Sequence, residues 1–203
     1  MEDVAGTILV GQSFEPVRGR VIIEEGRIEA IEKTETASTD IVLPAFVNAH
    51  THLGDAIAKE AAVGLSLDEA VAPPGSLKHR QLAAADCSEL VSAMRRTLRF
   101  ARRSGTVSCL DFRESGIEGA RALREAARPV DVDAFIFGSG EQSVLDVADG
   151  YGASGANDDE FSEQRAAAEE RDVPFAIHAG DPDPPDLDPA LALHLNLHVH
   201  LVP

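Results

Sequence analysis

Two histidines stand one residue apart in Asn48-Ala49-His50-Thr51-His52, at the end of the apolar run Pro44-Ala45-Phe46-Val47. Side chains alternate across a strand, so His50 and His52 project from one face, with Asn48 behind them. Two neutral imidazoles placed this way can grip one divalent metal. A third histidine, His178, closes a second apolar run, Pro174-Phe175-Ala176-Ile177, and shares a strand face with Ala176 and Gly180. Asp181 follows three residues later and begins the run Asp181-Pro182-Asp183-Pro184-Pro185-Asp186, which reads as a solvated loop. In the tail, His194, Asn196, His198 and His200 alternate with leucine and valine, which predicts a strand with one polar face. Metal-assisted hydrolysis needs such ligands with one position left open. It also needs a bound water, whose pKa the ion draws down toward about 7, and a group to carry protons.

The elements that must hold these residues fall into two sets. Residues 1–40 alternate and turn often, with strands near 7–10, 20–24 and 27–32, a hairpin turn at Gly26 and a polar link over 34–40. From residue 41 strands and helices alternate, the pattern of parallel βα units. Strands are predicted at 41–50, 106–112, 132–137, 147–153, 174–178 and 195–202, and helices at 83–104, 116–127 and 159–171. Pro73-Pro74-Gly75 interrupts the long first connection.

The stretch Leu43 to His52 resembles the first barrel strand of the amidohydrolase superfamily, metal-dependent hydrolases built on a (β/α)8 barrel. Gly19-Arg20-Val21-Ile22-Ile23-Glu24-Glu25-Gly26-Arg27-Ile28-Glu29-Ala30-Ile31 resembles the β-sandwich segment that precedes it. The resemblance implies an α/β chain: a small N-terminal β-sandwich segment over 1–40, then an incomplete TIM-type barrel of about six βα units over 41–203. It implies His50, His52 and His178 as ligands of one divalent metal, Zn or Fe. Asp181 and His200 become the catalytic candidates, with His198 next to His200. Many deaminases of the superfamily carry a glutamate where this chain has Asp181, one methylene shorter. Binuclear members use a bridging carboxylated lysine or a glutamate; no lysine follows Lys78, and Glu141 is a poorly placed substitute. The implied site is therefore mononuclear and deaminase-like, hydrolysing a C–N bond outside peptides. The superfamily's strand-eight aspartate has no counterpart in these 203 residues, so the alternative is a truncated, inactive barrel fragment that binds metal or associates. Asp111-Phe112-Arg113-Glu114, ending the second barrel strand, reads as a loop ion pair or a pocket lining; Asp55 and Lys59 follow strand one, where superfamily members contact substrate, and read as such contacts or as a solvated loop. The cytidine-deaminase fold is disfavoured, because His-x-Glu and Pro-Cys-x-x-Cys are both missing.

Composition narrows the partners. Acidic residues number 35 against 18 basic ones, a formal net charge of -17, and the only lysines are Lys33, Lys59 and Lys78. Such a charge disfavours nucleic acid and anionic membrane as partners; a small-molecule substrate is what the resemblance implies. The acidic, lysine-poor composition resembles that of proteins from a saline cytosol, and a cytoplasmic location is expected. No apolar run approaches a membrane span. Cys87 and Cys109 lack Cys-x-x-Cys spacing and read as small packing residues. A sixth strand with an open edge would invite a homo-oligomer or a complementing chain.

Overall fold

A computed structural model describes residues 2–71, 75–155, 158–179, 190 and 197–200. The chain divides into two compact units, Met1–Ala45 and Phe46–Pro203.

The first unit is a four-stranded sheet in the order β3-β2-β1-β4, from β1 (Glu2–Val10), β2 (Glu15–Glu24), β3 (Arg27–Lys33) and β4 (Ile41–Val42). The first three run antiparallel, and β4 joins β1 in parallel. Glu25 and Gly26 both take positive φ (49° and 76°). That conformation matches the twist of a two-residue hairpin, and glycine adopts it without penalty. Ile8, Val21 and Ile22 are its buried apolar residues.

The second unit is built on a six-stranded parallel sheet with strands in sequential order. They are β5 (Phe46–Thr51), β6 (Thr106–Arg113), β7 (Asp133–Gly138), β8 (Gly150–Ala153), β9 (Phe175–Ala179) and β10 (Leu197–His200). Sequential order is that of a singly wound barrel; a doubly wound sheet reverses at a switch point. The fold is thus a partial (β/α) barrel with a separate β-sheet before it. Five helices are described: α1 (Leu67–Val71), α2 (Leu77–Ala84), α3 (Cys87–Arg103), α4 (Gly116–Ala127) and α5 (Ser162–Glu170). Among the described residues no helix is long and apolar enough to cross a membrane.

Helical spacing builds the layer beneath the sheet. Leu90, Val91, Met94 and Leu98 form one buried stripe on α3, and it meets Leu123 of α4 and Ile136 and Ile177 of the sheet in one cluster. Cys109 belongs to this layer, and burial beside Asp111 pushes its thiol up to about 11, as suits a packing residue. The opposite face of the sheet carries a smaller cluster of Phe112, Phe137, Ala176 and Val199.

Two elements predicted as single are each divided in the structure. The strand predicted over 41–50 is divided: Ile41–Val42 pairs with β1, and Phe46–Thr51 begins the parallel sheet. Pro44 lies in the gap, and proline has no N–H for a ladder. The helix predicted over 83–104 is also two. Asp86 accepts the Ser88 N–H at 2.7 Å and caps α3 afresh, while Ala83 and Ala84 finish α2.

Candidate metal centre

His50 lies near the end of β5, His52 directly follows it, and His178 is the penultimate residue of β9. Their Nε2 atoms form a near-equilateral triangle: 3.1 Å between His50 and His52, and 3.2 Å from each to His178. The Phe112 ring lies 4.4 Å from the His178 ring and 5.4 Å from that of His50, an apolar wall beneath the triangle.

Hydrogen bonds orient two of the imidazoles. His178 Nδ1 is 2.9 Å from the carbonyl oxygen of Ala153, so it carries the proton and Nε2 keeps a lone pair. His52 Nδ1 is 3.2 Å from Glu114 Oε1, which has the same consequence for its Nε2. Lone pairs turned toward one another repel, and a shared cation removes that repulsion. A tetrahedral site with Zn–N bonds of 2.0–2.1 Å has ligand edges of about 3.3–3.4 Å, within about 0.3 Å of those found. The three residues therefore fit one divalent ion, and imidazole nitrogens suit zinc and iron alike.

Charged residues support this triangle from below. Asp111 and Arg113 point away from it into the helix layer, where both are almost wholly buried. Asp111 Oδ1 accepts from Arg113 Nη1 at 3.3 Å, and its Oδ2 accepts from the Leu53 N–H at 2.5 Å and the Thr51 hydroxyl at 2.9 Å. Burial pushes the Asp111 carboxyl up to about 6 even against those three partners. Glu114 accepts from Arg113 and from Lys78 and also faces His52. Burial works to raise the Glu114 carboxyl, but the His52 hydrogen bond and the Arg113 and Lys78 charges prevail and hold it well below the usual carboxylate range.

The sequence-predicted residues sort cleanly. His50, His52 and His178 come together. Asp181 lies outside the described residues. His200 is set opposite Ala179 in β10, and its side chain also lies outside the description. Val199, the register partner of His178, is buried with Phe112, Phe137 and Ala176. Within the stretch Asp111 to Glu114, the ion pair Asp111–Arg113 is buried in β6 rather than in a loop, while Phe112 and Glu114 lie against the site histidines. Lys59 makes an exposed pair with Glu60, whereas Asp55 pairs with Lys78 at 3.2 Å. Sequence reasoning passed over Lys78 and the tie from Glu114 to His52. Both depend on residues 26 or more positions away, so no local pattern announces them.

Comparison with known proteins agrees with this geometry. A protein of Archaeoglobus fulgidus, provisionally named an aminohydrolase, is 37% identical over 212 residues, covering 99% of this chain and 59% of its own length. A similarly named protein of Methanothermobacter thermautotrophicus is 34% identical over 173 residues, covering 74% of this chain and 45% of itself. The chain thus spans about three-fifths or less of these relatives. Among solved structures, N-isopropylammelide isopropylaminohydrolase from Burkholderia multivorans matches with a TM-score of 0.64 at 16% identity, over 95% of this chain and 57% of that one. The 5-methylcytosine deaminase of Klebsiella pneumoniae matches with a TM-score of 0.64 at 12% identity, over 95% and 55% respectively. At such identities these structures speak to the fold alone. The Amidohydrolase family matches residues 41–184, most of the second unit and all three site histidines. The chain belongs to the amidohydrolase family.

Proposed function

We propose that the protein is a deaminase-like hydrolase, cleaving a C–N bond of a small molecule at one divalent metal, Zn or Fe, held by His50, His52 and His178. The convergence of three Nε2 atoms on one point carries this reading. The bound ion would supply Lewis-acid activation of water. The chain's own part is to fix the ligands: Ala153 and Glu114 orient His178 and His52, and Phe112 closes one side against solvent. Proton transfer is assigned to Asp181 and His200, which follow or end the last two strands of the sheet. The names of two relatives, both provisionally aminohydrolases, support loss of an amine or ammonia as the reaction class.

A second reading has its own observation. Because the chain spans only 59% of its Archaeoglobus relative, it can be a metal-binding fragment without turnover of its own. The test is ammonia release from aminated purines and pyrimidines by the Zn- or Fe-loaded chain. It is run alone and with the portion of the Archaeoglobus protein that the chain does not cover. Metal-dependent release that disappears in His178→Ala supports a hydrolase, and Asp181→Asn and His200→Asn should lose turnover while keeping metal. No release in either mixture, with metal retained, sinks the hydrolase reading for this chain and leaves the fragment.

A further inference from the structure

Lys78 sits where its own helix gains nothing from a cation. It is in the first turn of α2, whose positive dipole end disfavours lysine, and no acidic residue shares that turn. Its side chain is nonetheless only 11% exposed, and Nζ reaches three groups. It lies 3.2 Å from Asp55 Oδ2, donates to Glu114 Oε1, and stands 3.3 Å from His52 Nδ1. The same Glu114 oxygen lies 3.2 Å from that Nδ1, so an ammonium and a carboxylate flank a single ring nitrogen.

The two neighbours would have opposite effects. An ammonium can only donate. A bond from Nζ to Nδ1 would occupy the lone pair there and force the ring proton onto Nε2, the atom that faces His50 and His178. A bond from Nδ1–H to Glu114 leaves the Nε2 lone pair available for a metal. The outcome depends on where the ammonium is held.

We propose that Lys78 is a positioning residue for the metal site: Asp55 and Glu114 hold its ammonium, and it in turn fixes Glu114 against His52 Nδ1. The assignment rests on the reading that His50, His52 and His178 bind a divalent ion. Asp55 completes the clamp. Its Oδ1 is buried without a hydrogen-bond partner among the described residues, so Oδ2 to Lys78 is the contact that ties this carboxylate to the site. The segment Leu53–Ala58 and helix α2 are thereby joined to the ligand shell through charges that touch no ligand nitrogen of the triangle.

The test is titration of the metal-free chain with Co(II), reading affinity by chelator competition and ligand geometry by visible absorption. The parent is compared with Lys78→Met, Lys78→Arg and Asp55→Asn, with circular dichroism to verify folding. Lys78→Met should weaken binding by about 10–100-fold, the usual cost of removing a group that supports a metal ligand, and should shift the cobalt band. Lys78→Arg keeps the cation between the two carboxylates and should recover most of the affinity and the parent spectrum. Asp55→Asn should weaken binding in the same direction, and it carries the test if Lys78→Met does not fold. A folded Lys78→Met chain with parental affinity and spectrum would overturn the proposal. So would equal losses in the methionine and arginine variants, which would mark Lys78 as packing alone. A parent chain that takes up no cobalt would instead refute the three-histidine reading, and this assignment with it.

Discussion

Gly54, two residues beyond His52, is where the supporting charges are most sensitive to a single methyl group. A Cβ there would stand 2.5 Å from Arg113 Cζ and nearer still to Nη2. The guanidinium has little room to withdraw. It is 1% exposed, its Nη1 lies 3.3 Å from Asp111 Oδ1 and 3.8 Å from Met94 Sδ, and its Nη2 donates to Glu114. Gly54→Ala must therefore push the guanidinium off a carboxylate that has no solvent to turn to. Overpacking alone costs about 1–3 kcal/mol, and depriving a buried charge of its partner costs about 3–5 kcal/mol. Asp111 can escape part of the second cost by taking a proton, since its carboxyl is already pushed up to about 6. The expected loss at neutral pH is therefore about 3 kcal/mol, or about 6–12 °C in Tm for a chain of this size. The assay is urea unfolding in molar KCl, followed by tyrosine fluorescence. Tyr151 is the single tyrosine, no tryptophan is present, and its buried ring lies in the second unit. A double-mutant cycle with Arg113→Ala isolates the cause, because it removes the three atoms nearest to the new methyl group, all of them from the guanidinium. The double variant should be no less stable than Arg113→Ala alone. A Gly54→Ala chain within about 0.5 kcal/mol of the parent, or costs that simply add in the cycle, would refute the reasoning.

Other consequences can be checked with the same protein. Because the Asp111 carboxyl is raised from 3.8 to about 6 in the native state, its contribution to stability is complete below about pH 4 and is lost as pH rises through about 6. Asp111→Asn should remove that decline, gaining up to about 3 kcal/mol relative to the parent between pH 4 and 7; parallel pH profiles would contradict this. Glu114 has the opposite sign. Its depressed carboxyl stabilises the fold above its ordinary range and loses that contribution as pH falls, so Glu114→Gln should flatten the acid side of the stability profile. Asp86→Ala removes the cap that separates α3 from α2 and should cost about 1 kcal/mol, read in the same urea assay. With a net charge of -17, the Tm should climb between 0.1 and 2 M KCl; a flat profile would show that self-repulsion is not a significant term.

Much of this architecture can be read from the sequence because it is written in local periodicity. The helix predicted over 116–127 is the one observed, Gly116–Ala127, and the strands from β6 to β9 fall within about one residue of expectation at their ends, save for the start of β8, which comes about three residues later; the described part of β10 lies inside the predicted strand. His50, His52 and His178 were legible for the same reason: an apolar run sets a strand, and a polar residue at its end marks the rim. The supporting residues were not. Lys78 meets His52 only after the long first connection folds back, and Glu114 does so from the end of β6, two contacts no spacing rule encodes. Arg113 looked like a loop charge because arginine is rarely so buried, and its burial depends on Gly54 and Asp111 together. Pro44 was visible in the sequence, but whether it ends one strand or merely precedes another is decided by pairing with β1.

The most direct test of the account is the metal content of the purified chain in molar salt, beside a His50→Ala/His52→Ala variant. About one equivalent of zinc or iron per chain, absent from a variant that still folds, is the predicted result. A parent chain that holds no metal after dialysis against zinc or iron, or a variant that holds as much as the parent, would contradict it.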